Sequence, residues 1–225
     1  AVFVESLSNP HLRLADVPAL AEIAHAHGCP LVVDNTFLSP ALLRPLQHGA
    51  DLVLHSATKY LAGHGDTVCG VVAGSKRLTD AIRYELDALG GAVSPFSSWL
   101  VARGLRTLPL RMDVHTRNAA AVAELLAERR EVRWLSSPGH PSHPQHELAR
   151  RLLTGGSGGM LSLRLEGGAE AMYAFVNALE LAAIGVSLGD IHTLVYPQPK
   201  RGGLIRLSVG CEDVEDLLAD FELGL

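Results

Sequence analysis

Lys59 stands in His55-Ser56-Ala57-Thr58-Lys59-Tyr60, directly after an apolar run, Ala50 to Leu54, that predicts a buried strand. A lysine at the mouth of a strand, preceded at one and three positions by hydroxyls, suits a carbonyl-reactive amine. Ser56 and Thr58 fall on the same side of an extended chain and can hold an anion such as a phosphate. Partial shielding from water weakens the amine's preference for the charged form and makes it nucleophilic. A Ser-x-Thr-Lys taken alone is more often a surface lysine, and the segment upstream changes that reading. Leu31-Val32-Val33-Asp34-Asn35-Thr36 has the pattern of a parallel strand covered on both faces, ending in a carboxylate. Asp34 then emerges at the C-terminal edge of the sheet, where open α/β folds bind ligands, and Lys59 emerges there one strand later. An acid and an amine facing one crevice are what pyridoxal phosphate chemistry requires: the lysine condenses with the aldehyde, and the acid keeps the pyridine nitrogen protonated. The same pair also suits a buried ion pair, and by itself it does not choose between the two.

The surrounding spelling carries a resemblance. Glu5-Ser6-Leu7-Ser8-Asn9-Pro10, Val33 to Phe37, His55 to Tyr60 and Gly63-His64-Gly65-Asp66 follow one another in order. Trp99 to Met112, Ser142 to Leu148, Gly158 to Leu161 and Leu204 to Gly210 continue the series. This series resembles the Cys/Met-metabolism (trans-sulfuration) family of pyridoxal-phosphate enzymes, which includes methionine γ-lyase, cystathionine γ-lyase and cystathionine γ-synthase. The resemblance covers nearly the whole chain. It implies the α/β fold type I of PLP-dependent transferases and pyridoxal 5'-phosphate as cofactor, with Lys59 as the catalytic amine. Asp34, Ser56, Thr58 and Asn9 would contact the cofactor; Arg206, Ser187 and Asn9 would contact a small sulfur amino acid. Arg206 lies in an apolar strand, where a guanidinium is costly unless it meets an anion, and a bidentate grip on an α-carboxylate is its natural use. Val186 stands where cystathionine-processing members typically have glutamate, which points to methionine γ-lyase activity. The alternatives are a cystathionine γ-lyase or γ-synthase, or a chain without catalytic activity. A cytoplasmic homo-oligomer, a tetramer built as a dimer of dimers, is the further implication.

Alternating strands and helices predict a parallel sheet: strands at Ala1–Glu5, Leu31–Asp34, Leu52–His55 and Val71–Ala73, with helices from Asp16 to Gly28 and over Lys76–Leu89. Helical periodicity follows over 97–108 and 114–130. Short strands near Val132, Met160 and Leu204 alternate with helices at 145–153 and 170–179. The expected division is 1–112, a large PLP-binding domain lacking its N-terminal part, and 113–225, a smaller α+β domain. The family's Gly-rich phosphate loop and its ring-stacking aromatic, both upstream, are not in this sequence. Nor are the tyrosine and arginine lent by a neighbouring subunit. The family's His-Pro-x-x-Met-Thr-His stretch is also missing between Tyr196 and Gly203.

Composition narrows the classes further. A net charge of -5 without a basic stripe argues against nucleic acid. Cys29, Cys69 and Cys211 lack metal spacing and read as reduced thiols. No stretch approaches the ~18 apolar residues of a membrane span, and no basic leader directs export. His140, His143 and His146 are three apart, but Pro141 and Pro144 prevent a shared helical face, so no metal is expected and the segment reads as a surface lead into a helix. Gly155 to Gly159 precede a strand and read as a connector, His64 as part of a structural loop, and Trp99 and Trp134 as core.

Overall fold

Leu31–Asp34 forms a strand because aliphatic and β-branched side chains can cover both faces of its pleat; Leu31 and Val33 are fully buried. In a computed structural model that describes residues 1–225, it is β2 of a four-stranded sheet ordered β1 (Val2–Glu5), β2, β3 (Leu52–Ser56), β4 (Gly70–Gly74). β1, β2 and β3 run parallel, with Glu5 opposite Asp34 and Asp34 opposite Leu54. The chain divides into two compact units, residues 1–7 with 15–108 and residues 8–14 with 109–225.

In unit 1, helix α1 (Val17–Ala26) joins β1 to β2. Asp16 caps it by accepting the Ala19 amide at 3.5 Å, and Gly28 follows its end at φ 66°. The prolines at 40 and 45 open a short helix α2 (Ser39–Leu42) and a 3-10 turn (Pro45–His48) rather than an irregular stretch. β4 departs from the expected parallel sheet: it runs antiparallel to β3, Ser56 opposite Gly70. The intervening residues form turns and no crossover helix, so nothing carries the chain back to the start of β3. Helices α3 (Lys76–Leu89) and α4 (Pro95–Leu105) complete the unit, and α5 (Leu108–Ala127) begins at its last residue.

Unit 2 holds a five-stranded sheet ordered β5 (Val132–Ser136), β6 (Met160–Leu165), β9 (Leu204–Ser208), β8 (Leu194–Gln198), β7 (Ala183–Ile184). It is antiparallel apart from the β7–β8 pair. Leu161, Leu163, Ile205 and Leu207 face α5, α7 (Gly168–Ala178) and α8 (Val214–Gly224) in one buried cluster, with Phe175 stacked on Phe221 at 6.2 Å. α6 (His146–Leu152) lies between β5 and β6 in the chain. β7, β8 and α8 are additions to the predicted elements. Pro197 inside β8 and the two-residue β7 suppress a strand pattern. Trp99 is 57% exposed and stacks on Phe96, and Trp134 is half-buried, so neither is a core tryptophan. His143 is buried rather than on the surface.

Candidate active site

In unit 1 the carboxylate of Asp34 leaves the C-terminal end of β2 and is held at once by the next residue but one. The Thr36 hydroxyl donates to Asp34 Oδ1 at 2.6 Å, and the Thr36 amide donates to the same oxygen at 3.0 Å. The Thr36 oxygen in turn accepts the amide of Ser56, at the end of β3, at 2.8 Å. A single hydroxyl therefore ties the two strand ends together and aims the acid. Asn35, fully buried, pins the same turn: it accepts from the Ser6 hydroxyl at 2.8 Å and donates to the carbonyls of Ser39 and Leu43. A cleft of about 580 Å³ lies beside this edge, lined by Asp34, Ser56, Gly70, Thr79 and Arg83 among others, a size typical of ligand sites, which run from ~300 to ~1,000 Å³. His55 points to the opposite face from Asp34. Its burial outweighs the nearby Asp34 charge and holds its pKa below the ordinary value, which keeps the imidazole neutral.

Strand β3 ends at Ser56, and Ala57 to Ala62 coil into turns that carry Lys59, whose amide donates to Ser56 O at 3.1 Å and whose carbonyl accepts from Gly63. The expectation that Ser56 and Thr58 lie on one side of an extended chain therefore does not describe Thr58. Its hydroxyl accepts the Cys69 amide at 3.0 Å, which fastens the turn to the segment before β4. Gly104 explains a motif glycine inside a helix. A Cβ there would lie 2.3 Å from Ala62 O and 2.7 Å from Leu61 O, so only glycine lets α4 press against the turn that bears Lys59.

In unit 2 the face of the sheet away from the apolar cluster carries a polar row. Ser136 is opposite Ser162, Ser162 opposite Arg206, and Arg206 opposite Tyr196. Arg206 is 4% exposed. Its Nη1 donates to Asn9 Oδ1 at 3.1 Å, and its Nη2 to the carbonyls of Val186 at 2.8 Å and Ser187 at 2.9 Å. The guanidinium carbon lies 5.2 Å from the Tyr196 ring centroid, a cation–π contact. These three acceptors are neutral dipoles, so they orient the planar fork without cancelling its charge. Asn9 reaches this place because residues 8–14 lie on the same sheet. Ser162 donates to Pro10 O at 2.6 Å, Ser136 to His11 O at 3.0 Å, and Gln145 exchanges two 2.9 Å bonds with the Leu14 backbone. Nearby, His115 is fully buried with Nδ1 2.7 Å from Val209 O; burial is the largest cause of its lowered pKa.

Within unit 1, then, Asp34 and Ser56 are joined through Thr36, and Lys59 follows one turn later. Within unit 2, Arg206 gathers Asn9, Val186 and Ser187. The Val186 side chain is 73% exposed; its carbonyl, not its side chain, meets Arg206. A carboxylate and a primary amine at one sheet edge are the donor set that a protonated pyridine and an aldehyde call for, so the residues present fit pyridoxal phosphate. Thr36, Asn35 and Tyr196 were not singled out by the sequence reading. The first two adjoin Asp34 in its motif, and Tyr196 becomes legible only through the β8–β9 register.

The family model for Cys/Met metabolism PLP-dependent enzymes matches residues 1–225. An L-methionine gamma-lyase of Pseudomonas putida is 45% identical over the full chain and 61% of its own length. An O-succinylhomoserine sulfhydrylase of Pseudomonas aeruginosa is 44% identical over 99% of the chain and 59% of its own length. A crystal structure of cystathionine gamma synthase from Xanthomonas oryzae pv. oryzae, in complex with aminoacrylate and cysteine, superposes with a TM-score of 0.95 at 43% identity, covering 99% of this chain and 62% of that one. The chain thus spans about three fifths of the length of the relatives it matches. The Pseudomonas putida match runs over 242 positions against 225 residues here, so that relative carries residues inside the matched span that this chain lacks. With a family model matched from end to end and relatives of this identity, the chain belongs to the Cys/Met metabolism family of PLP-dependent enzymes.

Proposed function

We propose that the chain serves as a carbon–sulfur lyase that uses pyridoxal 5'-phosphate and acts on a sulfur amino acid, with α,γ-elimination of methionine or homocysteine as its reaction. The observation that carries the reading is the Thr36-held Asp34 carboxylate at the same sheet edge as the turn bearing Lys59. When bound, the cofactor supplies an electron sink conjugated to the substrate's α-carbon. Asp34 would keep the ring nitrogen's proton through its carboxylate, and Ser56 and Thr58 belong to the segment that would hold the phosphate. Lys59 Nζ would be the amine that holds the aldehyde carbon. With the substrate's amine in its place, Nζ would be the base that removes the α-proton and then shuttles a proton so that a β-proton is also lost; the γ-carbon–sulfur bond would break with its electron pair on sulfur, which takes a proton and leaves as the thiol. Arg206 grips the α-carboxylate, steadied by Asn9 and the Val186 and Ser187 carbonyls. For methionine and one water the products would be methanethiol, ammonia and 2-oxobutanoate. The second reading, γ-replacement or cleavage of cystathionine, is favoured by the comparable identity to a sulfhydrylase and a cystathionine synthase.

Purified protein incubated with pyridoxal phosphate should develop a visible absorption band that Lys59→Ala loses. Borohydride reduction followed by peptide mapping should place the label on Lys59, and label on another lysine overturns the assignment. Measuring 2-oxobutanoate and thiol from methionine, homocysteine and cystathionine then separates the two readings.

A further inference from the structure

Unit 2 contains a second cleft, of about 520 Å³, with His11, Arg13, Trp134, Gln145 and Arg164 in its lining. Asn9, Ser187 and Arg206 do not line it, and neither does any aspartate or glutamate. Arg164 projects from β6 with its guanidinium carbon 4.9 Å from the Trp134 ring centroid. His11 meets the same ring edge-on, with centroids 6.1 Å apart and planes at 74°. Arg201, in the turn after β8, is close enough to act electrostatically. Behind burial as the largest cause, Arg164, Arg13 and Arg201 all push the pKa of His11 down. None of these three arginines takes part in a salt bridge.

Arg164 on the indole, Arg13 in the same lining and Arg201 within electrostatic reach of His11 are like charges with no acid in the cleft, and the backbone positions of Arg13 and Arg164 are fixed. The 8–14 segment that carries His11 and Arg13 is fixed by Ser136 and Gln145, while Arg164 is registered in β6 opposite Leu204. The arrangement is pre-organised for an anion that offsets the repulsion when it enters. We propose that this cleft binds a small phosphate-bearing molecule, with the forks of Arg13 and Arg164 on its phosphate oxygens and Trp134 as the rigid platform behind them. Phosphate suits the cluster because one group brings about -1.5 to -2 charges in a compact tetrahedron. The volume admits a metabolite and not a polymer, lying in the ~300–1,000 Å³ range of small-ligand clefts.

Trp134 supplies a local reporter, since the only other tryptophan is Trp99. In a Trp99→Phe background, cofactor-saturated protein is titrated with pyrophosphate and separately with citrate at constant ionic strength, following indole emission. Pyrophosphate should give a saturable change. Its affinity should fall at least about tenfold in Arg13→Gln and in Arg164→Gln, and less in Arg164→Lys. Arg77→Gln, which removes an exposed arginine of α3 in the other unit, should leave it unaltered. Arg13 is exposed and uses only its backbone in the structure, so Arg13→Gln reads binding even if an Arg164 variant folds poorly. No saturation, an affinity unchanged from the parent in both glutamine variants, or tighter binding of citrate than of pyrophosphate overturns the proposal.

Discussion

Thr36→Val tests whether one hydroxyl really aims the acid of this site. Valine keeps the β-branched shape, so the change opens no cavity and isolates the oxygen. Two bonds disappear with it: the 2.6 Å donation to the Asp34 carboxylate and the 2.8 Å acceptance from the Ser56 amide. A hydrogen bond to a charged group is worth ~1.5–3 kcal/mol, and an amide left without an acceptor costs ~1–3 kcal/mol, less where water reaches it. Both groups are half-buried, so the expected loss is about 2–4 kcal/mol. At ~2–4 °C per kcal/mol for a chain of this size, that is a fall in melting temperature of roughly 4–16 °C. Urea denaturation without cofactor measures this directly. A separate titration with pyridoxal phosphate should show about tenfold weaker binding, because the carboxylate keeps only the Thr36 amide of its two partners in that turn. Thr36→Ser should restore most of both losses. A stability change within ~0.5 kcal/mol, the scatter of surface substitutions, together with unchanged cofactor affinity, would refute the reasoning.

Arg206→Lys keeps the charge but loses the fork that reaches Asn9, Val186 and Ser187, so substrate KM should rise by at least tenfold while cofactor binding survives; an unchanged KM shows that another residue holds the carboxylate. Val186→Glu leaves the carbonyl that receives Arg206 in place and adds a charge on an exposed side chain, so it should shift kcat/KM toward cystathionine relative to methionine by about one to two decades; a wild-type preference for cystathionine of about tenfold or more would sink the methionine reading. For pH, His55 and His115 have folded pKa values lowered from 6.5, chiefly by burial. The unfolded chain therefore takes up protons that the folded one does not, and stability should fall by up to about 1.4 kcal/mol per pH unit for each histidine as pH drops below 6.5. Urea midpoints between about pH 7 and pH 5 check this, and His115→Gln should flatten the slope.

What could be read without the structure was whatever depends on neighbours in the chain. The β2 run and its terminal Asp34, the α1 cap at Asp16 and the helix at 76–89 follow from side-chain type and short-range periodicity, and each is present. What could not be read depends on pairing between distant segments. The antiparallel entry of β4 is set by the turns of 57–69, not by its own residues, which would suit a strand of either direction. Thr58 was placed by assuming the strand went on, and the strand stopped two residues earlier. The lodging of residues 8–14 in unit 2 has no local signal at all. It comes from serines on β5 and β6 that are ordinary hydroxyls in the sequence and become anchors only when the register sets Ser136, Ser162, Arg206 and Tyr196 in one row.

That row also accounts for a buried arginine in the middle of a sheet. Burying a guanidinium is costly unless it is hydrogen-bonded, and the antiparallel pairing meets the cost from several directions. Tyr196 offers its ring from one neighbouring strand, and Ser162 on the other side holds the segment that carries Asn9. The Val186 and Ser187 carbonyls fix the far end of the fork. Each contribution comes from a different stretch of chain, so no single substitution reproduces the loss of Arg206 itself. Ser162→Ala should act at a distance. By loosening the 8–14 segment it weakens the Asn9 contact, and the carboxylate grip should suffer less than in Arg206→Lys but in the same parameter, KM.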